Sequence, residues 1–292
     1  MPKIFVIFNP AARGEKSQRL RAFLDAKAGP AVTLAPTRCA GDAKTLAAQA
    51  AAQGYHTVVA AGGDGTVNEV VNGLDASGVA LGVLPLGTVN VFAQELGIPR
   101  SFDAAWAVIE AGQVRTIDLG CAEAQGQRRF FVQLAGVGFD ARTVRTTNWE
   151  LKKRIGLFSY LLAGWQVLWE PRRVVQVTPG GRGSIVLIGN GRLYGGKLAL
   201  FPQARLDDGK LDVCVFEQWS GLAVTRYLLG ILQGKHTQLP DVRYFQAEQF
   251  ECRPDTSPVS YELDGEDAGE APVRFSVLPR ALRVIAPAGQ TS

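Results

Sequence analysis

No stretch of this 292-residue chain reaches the roughly 18 uncharged apolar residues of a membrane-spanning helix, so nothing in it reads as an integral helical membrane protein. Histidine is scarce: the two present, His56 and His236, lie in no ligand-type pattern. That argues against a histidine-rich transition-metal site, and a Ser-His-Asp triad would have to draw on one of these two. The four cysteines, Cys39, Cys121, Cys214 and Cys252, are dispersed and form no Cys-x-x-Cys pair. They suggest neither a zinc knuckle nor a disulfide framework, and fit buried or incidental thiols in a reducing compartment. Excess charge is missing too. The net charge is +4 and no dense basic run carries interleaved aromatics, which leaves nucleic acid without support as a partner. Before Asn9 and Pro10 stand only five or six apolar residues, too few for a signal-peptide core; the expectation is a cytoplasmic protein.

What is present is ordinary for a globular protein: 47% hydrophobic and 20% charged residues, and a length of about two domains. Over the first ~120 residues, apolar runs alternate with helical patterns, the sign of a parallel sheet covered by helices. Strands are predicted at 3–8, 31–35, 57–61 and 80–84, and helices at about 17–28, 42–53, 67–74, 89–96 and 101–111. From about residue 114 the rhythm changes to short alternating runs such as "GSIVLIGN", "KLDVCVF" and "VRFSVL", which read as an antiparallel β domain, a sandwich, interrupted by helices at about 150–169 and 220–234.

Three of the first-half strands run straight into turns rich in glycine, asparagine or proline: "NPAARG", "GGDGT" and "PLGT". In open α/β sheets ligands bind at the carboxyl ends of the strands, so three such turns can converge on one crevice. Gly62, Gly63 and Gly65 leave no Cβ to block a phosphate chain, and Thr66 and the following amides stand at a helix N-terminus that favours an anion. Gly87, Thr88 and Asn90 repeat that chemistry in the second turn, while Asn9 and Arg13 add an amide and a guanidinium. The bland alternative is a tight strand-to-helix turn with Asp64 or Thr66 as its cap. Asp64 sits where an anion would be repelled, and the lysine of the usual P-loop is missing.

"GGDGTVNEVVNGL", "LGVLPLGTVNVFAQELGIP", "GVGFDA", "ARLDDGKLDV" and "LDGE", in this order, resemble the bacterial diacylglycerol kinase-like lipid kinases, relatives of sphingosine and ceramide kinases. The resemblance runs from residue 4 to about 285; "GGDGT" alone is also met in NAD kinases and phosphofructokinases. It implies a Rossmann-like α/β domain with a parallel sheet, holding ATP, over 1–122 plus about 281–292, and an antiparallel β-sandwich domain for the lipid over 123–280, with the active site in the cleft between them. The phosphate-binding elements it implies are Asn9, Pro10 and Arg13, Thr37, Gly62 to Asn68, and Thr88. It matches Asp264 to the base, and it places a structural Mg2+ on the side chain of Asp208 and main-chain carbonyls near Arg205 and Lys210. Asp140 and Asn190 lie near the cleft by the same analogy.

Phosphoryl transfer from ATP needs magnesium to neutralise the triphosphate and a group to position the acceptor hydroxyl and take its proton. Magnesium prefers oxygen ligands and water, so Asp64 and Glu266 are candidates for a metal and water network. Against these readings, "YELDGEDAGE" is alternatively an acidic surface turn and "LDDGK" a plain β-turn.

The stretch 150–169 carries Leu151, Ile155, Phe158, Leu162, Trp165 and Trp169 on one stripe behind Lys152, Lys153 and Arg154, which suits either a bilayer interface or a core helix. The expectation is an ATP- and magnesium-dependent kinase of a diacylglycerol-like, phosphatidylglycerol-like or long-chain-base lipid, peripheral at the inner face of the membrane. A NAD kinase-like phosphotransferase on a soluble acceptor and a non-catalytic nucleotide- or lipid-binding relative are the alternatives. The lipid and the oligomeric state, a homo-oligomer included, stay open.

Overall fold

The computed structural model describes residues 3–10, 15–138 and 173–288, and the expectations placed on Arg13, on Asp140 and on the helix at 150–169 lie outside these. The first half alternates β1 (Ile4–Phe8), α1 (Glu15–Lys27), β2 (Val32–Pro36), α2 (Asp42–Ala52), β3 (Thr57–Gly62), α3 (Asp64–Leu74), β4 (Ala80–Pro85), α4 (Val91–Glu95) and α5 (Phe102–Ala111). β3 and β4 are buried along their whole length, as strands covered by helices on both faces must be. Side chains and glycines punctuate the helices: the Ser101 hydroxyl accepts from the Ala104 amide to start α5, and Gly112, at φ 62°, ends it.

The second half runs β5 (Val114–Ala124), β6 (Gln127–Phe131), β7 (Leu134–Val137), β8 (Val175–Thr178), β9 (Gly181–Gly183), β10 (Ile185–Gly189), β11 (Leu193–Tyr194), β12 (Leu198–Ala199) and β13 (Leu211–Phe216). It closes with α6 (Gly221–Leu232), a 3-10 turn (His236–Gln238), β14 (Val242–Ala247), β15 (Gln249–Pro254), β16 (Ser260–Leu263), β17 (Glu266–Glu270) and β18 (Val273–Ile285).

Among the described residues the strands form a ten-stranded sheet in the order β2-β1-β3-β4-β18-β15-β8-β9, with β5 beside β18 and β6 beside β5, and a six-stranded sheet β14-β13-β10-β7-β16-β17. β1 to β4 are parallel. β18 belongs to both halves: Arg283 and Val284 pair in parallel with Ala80 and Leu81 of β4, while its earlier residues pair antiparallel with β15 and β5.

The part of the large sheet beyond β4 lies face to face with the six-stranded sheet, and the sandwich core gathers Phe131, Phe250, Tyr261 and Phe275. Phe250 and Phe275 stack at 5.4 Å. β13 shows the layering in one strand: Leu211, Val213 and Val215 face this core, whereas Cys214 and Phe216 face Ala223 and Tyr227 of α6 on the other side. The architecture is thus an α/β half with a parallel sheet joined to an antiparallel sandwich.

Candidate active site

β1 to β4 end at the same edge of the sheet, because a parallel sheet aligns its carboxyl ends. Asn9 and Pro10 follow β1, exposed, and the Thr37 amide donates to the Phe8 carbonyl at 2.9 Å, which brings the residue after β2 alongside. Gly63 caps α3 with an extended backbone and no side-chain acceptor; the Asp64 amide meets its own carboxylate, and the Gly65 and Thr66 amides that follow are placed for a ligand or water. Gly62 makes room for Thr66, since a Cβ there would fall inside the threonine side chain. A Cβ on Gly87 would lie 2.9 Å from the Gly63 Cα, so the two glycine turns pack backbone against backbone. Thr88 stands exposed at this edge.

Asn90 is spent on its own turn: its Oδ1 accepts from the Gly87 amide at 3.0 Å and its Nδ2 donates to the Gly87 carbonyl at 2.6 Å. Asp64, the first residue of α3, is half-buried and turns to the next helix. Its Oδ1 accepts from the Phe92 amide at 3.4 Å in the first turn of α4. Burial pushes its carboxyl above the ordinary aspartate range, and the amides of Val91, Phe92 and Asn90 oppose that shift.

The "LDGE" motif is a two-residue hairpin between β16 and β17, with Leu263 paired to Glu266 and both turn residues left-handed, Asp264 at φ 49° and Gly265 at φ 85°. Asp-Gly is the dipeptide such a turn prefers. Its carboxylate is nevertheless enclosed, so the acidic-surface-turn reading does not describe Asp264. Oδ1 accepts from the amides of Gln133 and Leu134 at 2.9 and 3.0 Å, and Oδ2 accepts from the Val132 amide at 2.9 Å and from Asn68 Nδ2 at 2.8 Å. Burial raises its pKa and these four bonds counter it.

Asn68 therefore bridges the α/β half to the sandwich. Asn72, one turn on, does the same: its Nδ2 donates to the Phe130 carbonyl at 3.0 Å and its Oδ1 accepts from the Phe130 amide at 2.9 Å. Glu266 stands across from the start of α3, where a Cβ on Gly65 would meet its Oε1 at 2.9 Å. Beside them opens a cavity of about 420 Å³ lined by Gly41, Lys44, Asn68, Glu69, Arg129 and Glu266 among others. Lys44, Glu69, Asn72 and Arg129 had no place in the sequence reading. Asn72 alone carried a signal, its spacing of four from Asn68 on a helix already expected.

The Asp208 turn lies elsewhere. Asp208 Oδ1 accepts from the Lys210 amide at 3.0 Å, and Arg205 points its guanidinium at Asp207, 3.4 Å away. Buried Asp118 holds the same loop, accepting from the Gly209 amide at 2.6 Å and the Arg280 amide at 2.7 Å. Burial first, then the Asp118 charge, raises the Asp208 pKa. Among the described residues no three carboxylate, imidazole or thiol side chains converge as a metal cluster. A cation here would rest on Asp208 and main-chain carbonyls, an oxygen donor set that suits magnesium, and the two neighbouring carboxylates favour positive charge. Asn190 is buried, its Nδ2 donating to the carbonyls of Asp118 and Val132 at 3.1 and 2.9 Å.

Residues 3–122 match the model of the diacylglycerol kinase catalytic domain, and residues 133–286 that of the YegS C-terminal NAD kinase beta sandwich-like domain. A Pseudomonas aeruginosa protein named "Probable lipid kinase YegS-like" is 35% identical over 98% of this chain and 95% of its own. The chain belongs to the diacylglycerol kinase family. A second member, a diacylglycerol kinase of Staphylococcus aureus, is 33% identical over 97% of this chain and 91% of its own. The crystal structure of a diacylglycerol kinase from Bacillus anthracis superposes with a TM-score of 0.77 at 25% identity, covering 98% of this chain and 97% of that one, and shares the two-part fold. The protein is accordingly an enzyme, a kinase of this family. Among the described residues no helix is long and apolar enough to cross a membrane.

Proposed function

We propose that this kinase transfers the γ-phosphate of ATP to a hydroxyl of a lipid of the diacylglycerol, phosphatidylglycerol or long-chain-base class, with magnesium. The observation that carries the reading is the 2.8 Å bond from Asn68 to Asp264, which ties the helix after the glycine-rich turn to the "LDGE" hairpin and leaves Glu266 against the first turn of α3, beside the cavity.

In this proposal the uncapped amides of α3, Thr66, Thr88 and the residues after β1 and β2 hold the triphosphate, and Lys44 and Arg129 supply positive charge at the cavity wall. Magnesium, when bound, would neutralise the triphosphate, and Asp64 and Glu266, at the start of α3, would hold its water shell. The base role expected of Asp264 passes in part to Glu266. Four donors already occupy the Asp264 oxygens, about all that a carboxylate accepts. Asp264 takes a proton only by releasing a donor, whereas Glu266 lines the cavity where a hydroxyl would enter. Asp264 fixes the hairpin that presents Glu266, and shares in proton transfer only when one of its donors lets go.

The deciding assay is γ-labelled ATP with a panel of lipids in mixed micelles beside NAD. Labelled lipid supports the proposal; labelled NAD with no labelled lipid establishes a soluble-acceptor kinase instead. Within the site, Glu266→Gln is expected to lower kcat by on the order of 10²–10⁴ while binding of ATP without magnesium, measured by calorimetry, changes little. Near-normal turnover would remove Glu266 from proton transfer.

A further inference from the structure

Among the described residues, three of the four large apolar side chains that stand out in solvent sit on one helix, α6: Leu222 at 81%, Leu229 at 51% and Leu232 at 40% exposure. The helix does not need them for folding. Ala223, Tyr227 and Gly230 already bury its inner face, Tyr227 against Phe216 at 4.9 Å. Positions 222, 229 and 232 fall within about 80° of one another around a helix, so the leucines form a second, outward stripe.

Beside that stripe runs a groove of about 520 Å³, lined by Leu222, Leu229, Leu239, Thr225, Arg226 and Lys235. The segment that forms it carries charge of one sign. From Ser220 to Gln238 there is no Asp or Glu, while Arg226 and Lys235 are cations. The nearby acid, Asp241, is turned under the helix, where the Tyr227 hydroxyl donates to it at 2.6 Å and Arg226 pairs with it; the Arg226 side chain is still 44% exposed.

Outward leucines rimmed by cations match the boundary between acyl chains and anionic headgroups. The helix is also connected to the cleft. It packs on β12, the partner of β11, and the Leu193 amide of β11 donates to Glu95 of α4 at 2.8 Å, the helix whose first turn Asp64 meets.

We propose that the outer face of α6 docks the enzyme on an anionic lipid bilayer, seating Leu222, Leu229 and Leu232 among the acyl chains and Arg226 and Lys235 at the headgroups. The proposal rests on the lipid-kinase reading for its purpose, although docking and chemistry are separately measurable.

The test is co-sedimentation of the full chain, wild type and Leu222→Asp/Leu229→Asp, with extruded vesicles of phosphatidylglycerol and phosphatidylcholine or of phosphatidylcholine alone. Wild type is expected to pellet with the anionic vesicles more than with the neutral ones, and the double variant to partition about tenfold or more weakly. Its melting temperature and its turnover of dioctanoylglycerol below the micelle concentration should match wild type. Equal pelleting of the two proteins, or no pelleting of wild type, overturns the proposal. A wild-type dimer that becomes a monomer in the variant assigns the face to a second copy instead. A fall in melting temperature of more than about 5 °C shows that this chain covers the face itself, and equally sinks it. Vesicle binding lost in the variant while no lipid is ever labelled by wild type would uphold docking and sink the lipid-kinase reading.

Discussion

Two aspartates at the cleft titrate on the high side of the ordinary carboxylate range for the same reason, burial, and by different arrangements: Asp64 against the amides of a neighbouring helix, Asp264 inside a ring of four donors. Activity that requires both as anions should therefore fail on the acid side while exposed carboxylates are still ionised, which a pH profile of kcat/KM reads directly. Stability moves in the opposite direction. A carboxyl whose folded pKa is raised contributes stability that is fully present below the unfolded value and lost as pH rises through the folded one. The gap in melting temperature between wild type and Asp264→Asn should thus shift in favour of wild type as pH falls from about 7 to about 4; a constant gap would contradict the raised pKa. At neutral pH the same variant turns an amide NH2 toward backbone N–H donors, at a cost of about 1–3 kcal/mol. Gly65→Ala separates chemistry from stability. Its Cβ meets Glu266 Oε1 at 2.9 Å within a helix that tolerates alanine well, so turnover should fall by on the order of 10- to 100-fold with an unchanged or slightly raised melting temperature.

α3 does three jobs at the scale of the element: its start faces the glycine turn, Asn68 and Asn72 stitch it to β6 and the hairpin, and Gly73 lets α2 approach. A Cβ at Gly73 would overlap the Lys44 carbonyl, so Gly73→Ala should push α2 off α3, lower stability by about 1–3 kcal/mol in denaturant melts and raise the KM for ATP through the displaced Lys44. β1 to β4 were legible in the sequence as short apolar runs, and the turns after β1, β3 and β4 because turn residues follow those strands at once, a purely local signal. The motifs that carry the family likeness also found Asp264 and Glu266. Their surroundings were not legible. The donors to Asp264 lie 130 to 196 residues away in the chain, the amide facing Asp64 belongs to another helix, and Asn90 closes a turn whose geometry only the folded backbone defines. Two-residue strands such as β11 and β12 leave too few positions for any alternation to show.

The molecule as a whole is held as one body by β18, which lies between β4 of the parallel half and β15 and β5 of the sandwich. A chain ended after Leu278 would lose the pairing of Arg283 and Val284 with β4 and bare that buried strand, and should be insoluble or unfolded by circular dichroism. The intact chain should melt in a single calorimetric transition; two resolved transitions would show that the halves are separable.

The order in which β18 is made has its own consequence. A ribosome makes β4 (Ala80–Pro85) long before residues 273–285 and β15 (Gln249–Pro254) only shortly before them, so the side of β4 that β18 covers stays unpaired until that strand emerges. Until that strand emerges, the open edge of β4 faces solvent or whatever holdase guards it, and slowing translation between β4 and β18 should raise aggregation.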